Sequence, residues 1–442
     1  MRKFTFRGGI HPLHDAHEGK GATRNKPIRH FVAKTVSIPM DMHIGAPSKP
    51  IVKAGDRVLM GQIIAEAVGG IGVPVHASVS GTVKAVSEKP MLKRAPSMCI
   101  DIENDGLDEW APLSALGNVE KADPSKIIPA VKAAGICGMG GACFPTHVKL
   151  SPPAGKKVDT IILNGAECET YLTADYRLML EQPERIVNGL RAAMRAMGVT
   201  RGLIGIEDNK KEAIEAMAKA ASGREGVEVC ALKTKYPQGG EKQLIKALLK
   251  SEVPSGGLPA DAGVVVLNVG TAAAIADAVA EGKPLISRVT TVTGCVKEPD
   301  NLLLRIGTSV SDAVENCGGY TKTPGKIFFG GSMTGSCVPN DTVSVTKANN
   351  GIVVYDEADA KMPEENPCIR CGRCVYACPV SLNPMAMKQA YELGKLDELE
   401  SKLHVMDCIL CGACSYICPA RQYLTPVFKD AKDIIAARRA SK

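Results

Sequence analysis

Two stretches near the carboxyl end leave this chain little freedom: CIRCGRCVYACPV, with Cys368, Cys371, Cys374, Cys378 and Pro379, and CILCGACSYICPA, with Cys408, Cys411, Cys414, Cys418 and Pro419. Each reads C-x2-C-x2-C-x3-C-P, eight of thirteen positions agree and the offset is forty residues, so the pair is an internal duplication. That spacing wraps three thiolates round one face of an iron-sulfur cube and sends the fourth to the neighbouring cluster. It predicts one 4Fe-4S cluster on Cys368, Cys371, Cys374 and Cys418, and a second on Cys408, Cys411, Cys414 and Cys378. Two structural zinc sites are the competing reading. Tetrahedral zinc takes its ligands as two spaced pairs, however, and nothing in its geometry calls for a four-cysteine run ending in Pro. Residues 384–404, between the runs, have helix-forming composition, which predicts a mainly helical cluster module.

Clusters in pairs move electrons but do not say where the electrons come from, so the remaining 360 or so residues must supply the chemistry. The other eight cysteines, Cys99, Cys137, Cys143, Cys168, Cys230, Cys295, Cys317 and Cys337, are scattered singly and read as buried free thiols. The N-terminus MRKFTFRGGIHP lacks the apolar core of a secretory signal, which places the chain in the cytoplasm and its sixteen cysteines with metal, not disulfides. The longest apolar stretch, 263–281, is cut by Asn268, Thr271 and Asp277, so no transmembrane helix is expected. Of the net charge of +7, residues 1–34 carry eight basic against two acidic side chains. They read as a basic arm, either solvated or laid on an anionic membrane surface or acidic partner. Nucleic acid is not an expected partner, because no basic stripe recurs and aromatics are only 4%. His11, His14 and His17 in the arm fit no particular metal site and read as polar surface.

Residues 35–95 alternate apolar and polar positions between turn signals and look like a biotinyl/lipoyl-type barrel-sandwich domain. At the hairpin where a carrier Lys would stand the chain has Gly69, Gly70, Ile71 and Gly72, so a swinging-arm role is not supported. From 158 to 281 strand-like runs (TIILNG, GLIGIE, GVEVCAL, GVVVLNV) alternate with helix-like ones, which argues for an α/β domain with a largely parallel sheet. Just before it, GICGMGGACFPTHVK carries Gly138, Gly140 and Gly141 followed by Lys149. Such glycines let backbone N–H groups approach a phosphate, although on composition alone a plain turn is equally consistent. It is neither a Rossmann fingerprint, since Cys143 replaces the last Gly and a helix-like segment leads in, nor a P-loop. Residues 285–320 look like a soluble-ligand-binding β-grasp module.

These pieces, in this order, resemble the RnfC family of the Rnf complex, the ion-translocating ferredoxin:NAD+ oxidoreductase of bacteria, from FRGGIHP and KPI through to the cluster module. The middle portion also resembles the NADH-binding flavoprotein subunit of respiratory complex I. The resemblance implies that Gly138, Gly140, Gly141 and Lys149 meet the FMN phosphate and ribityl chain. It places Asn164, Glu167 and Glu169 of NGAECE, Tyr236, Gly239 and Glu241 of YPQGGE, and Asn268 and Thr271 of LNVGT around the flavin. Two positions depart from the complex I pattern: Gly240 stands where the first of an acidic pair is expected, and Pro152 where an aromatic stacks on the nicotinamide.

The resemblance implies a multidomain α/β protein. Its expected parts are a basic arm over 1–34, a barrel-sandwich hybrid over 35–95 and a Rossmann-like FMN/NAD domain over 120–283. A β-grasp (SLBB-like) module over 284–322, connecting strands over 323–360, a helical two-cluster ferredoxin domain over 361–425 and a tail over 426–442 follow. Nicotinamide takes a two-electron hydride whereas the clusters pass single electrons, so a flavin is expected between them. The implied cofactors are two 4Fe-4S clusters and FMN, with NAD(H) as substrate. The implied partners are the other Rnf subunits at the membrane and, indirectly, ferredoxin. The implied place is peripheral, on the cytoplasmic side of the cell membrane. Two alternatives stand beside this reading: a cobalamin reductase-like protein built from the same modules, and a non-catalytic electron relay and docking scaffold.

Overall fold

The computed structural model of the chain describes residues 3–12, 19–92 and 95–441. Two antiparallel sheets come first, after a lone strand β1 (Ile28–Phe31). Their strands are β2 (Thr35–Pro39), β3 (Lys49–Pro50), β4 (Arg57–Val58), β5 (Ile63–Glu66), β6 (Val75–His76), β7 (Gly81–Lys89) and β8 (Ser97–Asn104). One sheet runs β2-β8-β7-β4 and the other β3-β5-β6. Val36, Ile38, Val58, Ile64, Val75, Ile100 and Ile102 are buried in the core they contribute to. Strand β8 carries this unit to residue 104, beyond the 95 at which the turn signals stopped, because Val36 and Ile38 pair with Ile102 and Ile100.

The α/β unit contains α1 (Pro124–Ala133), α2 (Thr146–Lys149), β9 (Thr160–Gly165), α3 (Ala174–Glu181), α4 (Pro183–Met197), β10 (Arg201–Glu207), α5 (Lys211–Ala221), β11 (Val227–Leu232), α6 (Glu241–Leu249), β12 (Val264–Asn268) and α7 (Val269–Ala280). The four strands are all parallel in the order β11-β10-β9-β12. Helices cover both faces, which is why VVVLN and TIILN read as continuous rather than alternating apolar runs. The stretch 263–281, most apolar in the chain, is thus a central strand and a packed helix. The same apolar core extends from Ile38 and Ile64 into Ile161, Leu190 and Ile275, so the first two units are docked on each other.

A six-stranded sheet follows, built from the early strand β1 together with β13 (Ser287–Gly294), β14 (Asp300–Arg305), β15 (Pro324–Phe329), β16 (Ser336–Cys337) and β17 (Gly351–Asp356), with α8 (Val310–Asn316) packed on it. Its order is β1-β14-β13-β17-β15-β16. The strands of 323–360, expected to be connectors, are therefore full members of this sheet: Ile327 and Phe329 face Val354 and Ile352. The cluster module has α9 (Arg373–Ala377), α10 (Pro384–Glu392), α11 (Leu396–Ser401), α12 (Ala413–Tyr416) and α13 (Leu424–Ala440). Residues 384–404 form two helices, α10 and α11, with Gly394 at a positive φ between them. No free tail stands at 426–441 either, since α13 buries Phe428, Ala431 and Ile435 against Met387 and Leu399.

The N-terminal segment is a correction. Far from lying free or on a membrane, its described residues lace the units together. Phe4 exchanges backbone hydrogen bonds with Ala231 and Lys233, and Ile10 with Tyr236 at 2.8 Å. Strand β1 then pairs in parallel with β14. Four of its basic side chains bind within the chain: Lys3 on Asp208 at 2.6 Å, Arg29 on Asp300 at 2.8 Å, Arg24 on the Asn209 carbonyl, and Lys20, 2% exposed, on the Glu167 carbonyl at 2.5 Å, while Arg7, Lys26 and Lys34 are exposed. Of the three arm histidines only His11 falls among the described residues. Among the scattered cysteines, Cys337 is exposed, not buried as expected.

Candidate flavin and cluster sites

The chain leaves β9 toward β10 and β11 and then returns to β12 on the other flank, so strand order reverses between β9 and β12. A crevice opens beyond the carboxyl ends of such a pair. Asn164 and Asn268 sit there in direct register. The Asn268 side chain caps α7 through the Gly270 N–H at 2.8 Å and donates to Asp175 at 2.6 Å. Asn164 donates to the Gly239 carbonyl at 2.8 Å. Over this edge lies the glycine loop. The Met139 N–H donates to the Thr271 hydroxyl at 3.0 Å, and a Cβ on Gly140 would stand 3.0 Å from that of Asn268. Gly141 faces open space. Lys149 reaches the Val266 carbonyl at 3.1 Å and the Glu241 carboxylate at 3.0 Å.

The structure thus brings together Gly138, Gly140, Gly141, Asn164, Gly239, Asn268 and Thr271, with Lys149 and Glu241 paired beside them. The two acids of NGAECE part company. Glu167, at φ 47°, turns inward, and its two oxygens accept from the Asp175 and Tyr176 N–H groups at 2.7 and 3.2 Å, holding the start of α3. Burial pushes its carboxyl up to about 7, with Lys20 opposing the rise and the Asp175 charge adding to it. Glu169 instead accepts from the Met333 N–H at 3.1 Å and the Thr334 hydroxyl, on the loop between β15 and β16.

Gln238 escaped the sequence reading. It is fully buried in YPQGGE, and neither end of its amide has a partner among the described residues. An orphaned buried amide is costly, so this loop has spare hydrogen-bonding capacity for a polar ligand. The only sequence signal was its position between Tyr236 and Gly239. Arg288, 4% exposed and donating to the Met139 and Lys347 carbonyls, was also missed, because nothing local in β13 marks it. The glycine loop, the two asparagines and this amide are the groups that fit a flavin phosphate, sugar chain and ring edge.

On the cluster side cysteines of the two runs come near one another. The thiols of Cys408, Cys411 and Cys414 each bear on Cys378, from the other run, whereas Cys374 bears on Cys418 and Cys368. Cys378, Cys408, Cys411 and Cys414 line one cavity, otherwise walled by apolar side chains such as Leu382, Met387, Leu410 and Phe428. Burial pushes the Cys411 and Cys414 thiols up to about 11 and about 12, so bound iron would have to supply the compensating charge. Among the described residues no three His, Cys, Asp or Glu side chains converge closely enough for a single metal ion. A donor set of four cysteines in an apolar cavity fits a cube, whose ligands hold separate irons at separate corners.

The two sites touch. The Tyr236 hydroxyl, 2% exposed as a residue, donates to the Cys411 carbonyl at 2.7 Å, and Ile10, Tyr236, Ala377 and Ala413 share a small apolar core. The arm closes the seam: the Gly9 N–H donates to the Ala377 carbonyl at 2.9 Å, and a Cβ on Gly8 would stand 2.6 Å from the Cys378 carbonyl oxygen.

Four family models match the chain: an RnfC barrel sandwich hybrid domain over 4–107, a Nuo51 FMN-binding domain over 131–277, an SLBB domain over 289–336 and a 4Fe-4S dicluster domain over 361–419. The chain is 49% identical to the C subunit of the Na(+)-translocating ferredoxin:NAD(+) oxidoreductase complex of Acetobacterium woodii, over 98% of each chain. It is 46% identical to the C subunit of the proton-translocating ferredoxin:NAD(+) oxidoreductase complex of Clostridium ljungdahlii, over 91% of this chain and 88% of that one. With the C subunit of the ion-translocating oxidoreductase complex of Rhodobacter capsulatus the identity is 43%, over 100% and 85%. Among solved structures, an NAD+-reducing [NiFe]-hydrogenase in its H2-reduced state shares the fold, with TM-score 0.50 and 20% identity over 73% of this chain and 63% of that chain. No described helix is long and apolar enough to cross a membrane.

Proposed function

The chain belongs to the RnfC family of ion-translocating ferredoxin:NAD(+) oxidoreductase complexes, and from that premise we propose that it is the member exchanging electrons with NAD(H), placed peripherally on the cytoplasmic side of the membrane. Its cofactors are FMN and two 4Fe-4S clusters, and its partners are the other subunits of the complex, with ferredoxin acting through them. The observation that carries the reading is the Tyr236 hydroxyl on the Cys411 carbonyl, which ties the loop beside the flavin crevice to the peptide of a cluster ligand. When bound, FMN exchanges a hydride with nicotinamide and single electrons with the clusters.

The chain's own residues bind and orient. Gly140 and Gly141 offer backbone N–H groups to the phosphate, Gly138 holds the neck of the loop through its N–H on the Phe144 carbonyl, and Asn268 and Thr271 hold that loop over the strand ends. Lys149 adds positive charge, steadied by Glu241. Asn164 and Gly239 fix the YPQGGE loop so that Gln238 presents its amide. Glu167 and Glu169 act as positioning groups, one on α3 and one on the 331–334 loop, and neither moves a proton to nicotinamide. Ion translocation belongs to the membrane partners, since a path through the bilayer needs a spanning helix or a closed barrel. The two relatives named for different ions are 49% and 46% identical to this chain, so similarity here does not select the ion.

An anaerobic NADH titration of the full chain, reconstituted with FMN and iron-sulfur clusters, tests the reading by visible absorbance and low-temperature EPR. Stoichiometric bleaching of the flavin band with reduced-cluster signals is expected. Bound FMN that NADH leaves oxidised would overturn the NAD(H) assignment in favour of a relay or a cobalamin reductase-like protein.

A further inference from the structure

The neck of the glycine loop holds a pair of thiols for which the proposed electron path has no use. Cys137 and Cys143 are 0% and 6% exposed and share one small buried cluster with Val73, the Cys137 thiol donating to the Gly135 carbonyl at 3.9 Å. The backbone brings them together: Cys137 bridges to Pro145, and the Gly138 N–H donates to the Phe144 carbonyl at 2.8 Å. Against both sulfurs lies the ammonium of Lys347, 1% exposed, which donates to the carbonyls of Gly135 at 2.7 Å and Pro74 at 3.3 Å. Besides these two thiols, His76 also bears on Lys347, whose charge together with burial holds the imidazole well below its ordinary range. Arg288 adds a second buried cation beside Cys143. Neighbouring cations favour the thiolate, which is the nucleophilic form of cysteine.

The pair is also polarised. The neighbouring Cys143 thiol, with help from Lys347, draws the Cys137 thiol below its ordinary range despite burial, while Cys143 is held well above it by Cys137 and by burial. Cys143 moreover sits at φ 53°, in the left-handed region that glycine occupies without strain. A cysteine kept where its backbone is strained directs attention to its sulfur.

We propose that Cys137 and Cys143 form a peroxide-sensitive dithiol that closes to a disulfide across the neck of the glycine loop. The Cys137 thiolate attacks the O–O bond of hydrogen peroxide, giving a sulfenic acid and hydroxide. The Cys143 sulfur then displaces the sulfenic oxygen as the S–S bond forms, so that two thiols and one peroxide yield one disulfide and two waters. Lys347 stabilises the attacking thiolate. Closure draws the two ends of the loop together and alters the spacing of the glycines between them.

Tryptic cleavage at Lys132 and Lys149 releases AAGICGMGGACFPTHVK, which holds these two cysteines and no others. The full-length reconstituted protein is exposed to graded hydrogen peroxide with an iron chelator present, alkylated and mapped by mass spectrometry without reduction. This peptide is expected to lose two hydrogens, refuse alkylation and regain both thiols with dithiothreitol, at peroxide levels that leave Cys230 and Cys317 free. In Cys143→Gly, which suits the left-handed backbone, Cys137 should stop at a sulfenic acid that dimedone captures. In Lys347→Gln oxidation should slow roughly tenfold, as when a thiolate loses about one pKa unit of stabilisation. The proposal fails if both cysteines alkylate fully when Cys230 is already oxidised, if the peptide carries sulfinic acid in place of the bond, or if Cys143→Gly yields no sulfenic acid. None of these outcomes depends on whether NADH reduces the bound flavin.

Discussion

The two cysteine runs are near copies in sequence and backbone, yet they live in different surroundings. Arg370 and Leu410, Gly372 and Gly412, and Ser381 and Arg421 all take positive φ, each pair forty residues apart. The first run nevertheless lies open, with Cys368 and Cys371 exposed and Ile369 and Tyr376 at 67% and 78%. The second packs on the α/β unit, with Ala413 fully buried and Cys411 against Tyr236. The motif decides how a cluster is gripped, and the neighbours decide to what it is connected. On the proposed ligand sets, the cluster of Cys408, Cys411, Cys414 and Cys378 would adjoin the flavin crevice, and the other would face outward.

The sharpest break comes from serine substitutions in the reconstituted protein. Cys411→Ser and Cys378→Ser should each remove about half of the bound iron, one of two cubes, and abolish reduction of the remaining cluster by NADH, because the inner link is gone. Cys371→Ser should lose as much iron but leave the inner cluster reducible. If Cys378→Ser behaved like Cys371→Ser, the crossed assignment would be wrong. Iron assay and EPR separate the cases.

The seam itself is the next target. Gly8→Ala forces a Cβ at φ 81° to within 2.6 Å of the Cys378 carbonyl oxygen, and should cost about 1–3 kcal/mol in thermal or denaturant unfolding. Gly70→Ala, with no heavy atom within 4 Å, should stay within about 0.5 kcal/mol. Equal losses would remove the contrast between a docked arm and a free hairpin. Tyr236→Phe deletes one hydrogen bond and should cost about 1 kcal/mol while slowing, but not abolishing, NADH-driven cluster reduction in a stopped-flow assay.

The smallest expected effect is a pH slope. The Glu167 carboxyl lies near 7 in the folded chain against 4.5 for the free side chain, so above about 4.5 the unfolded state has shed a proton that the folded state still holds. Its contribution to stability is full below that range and is lost as pH rises through about 7. Glu167→Gln should flatten the fall of the unfolding midpoint between about pH 4.5 and 7. An unchanged slope would mean that Lys20 and Lys210 already neutralise the group.

Much of this molecule is legible in one dimension because its signals are local. The strands TIILN and VVVLN, the helix ERIVNGLRAAMRAM and the C-x2-C-x2-C-x3-C-P spacing each specify their own structure through burial period or ligand reach. The crevice was legible only through resemblance: Asn164 and Asn268 are 104 residues apart, and only the parallel pairing of β9 with β12 sets them side by side. Glu167 and Glu169, both placed around the flavin by the resemblance, hold the start of α3 and the 331–334 loop respectively, and Glu167 itself takes a positive φ. Gln238 and Arg288 left no mark, since an amide without a partner and a buried guanidinium exist only relative to distant neighbours.

The sequence by itself determined that this chain carries two duplicated four-cysteine runs, a parallel α/β unit with a glycine loop, and two β-rich units beside it. Only the tertiary structure decided that the basic N-terminal segment is a lace and not an arm, that 424–440 is a core helix and not a tail, and which cluster meets the flavin crevice. The physical reason is the same in each case. A local pattern chooses the element, but the partners that satisfy its buried charges and backbone groups come from far along the chain.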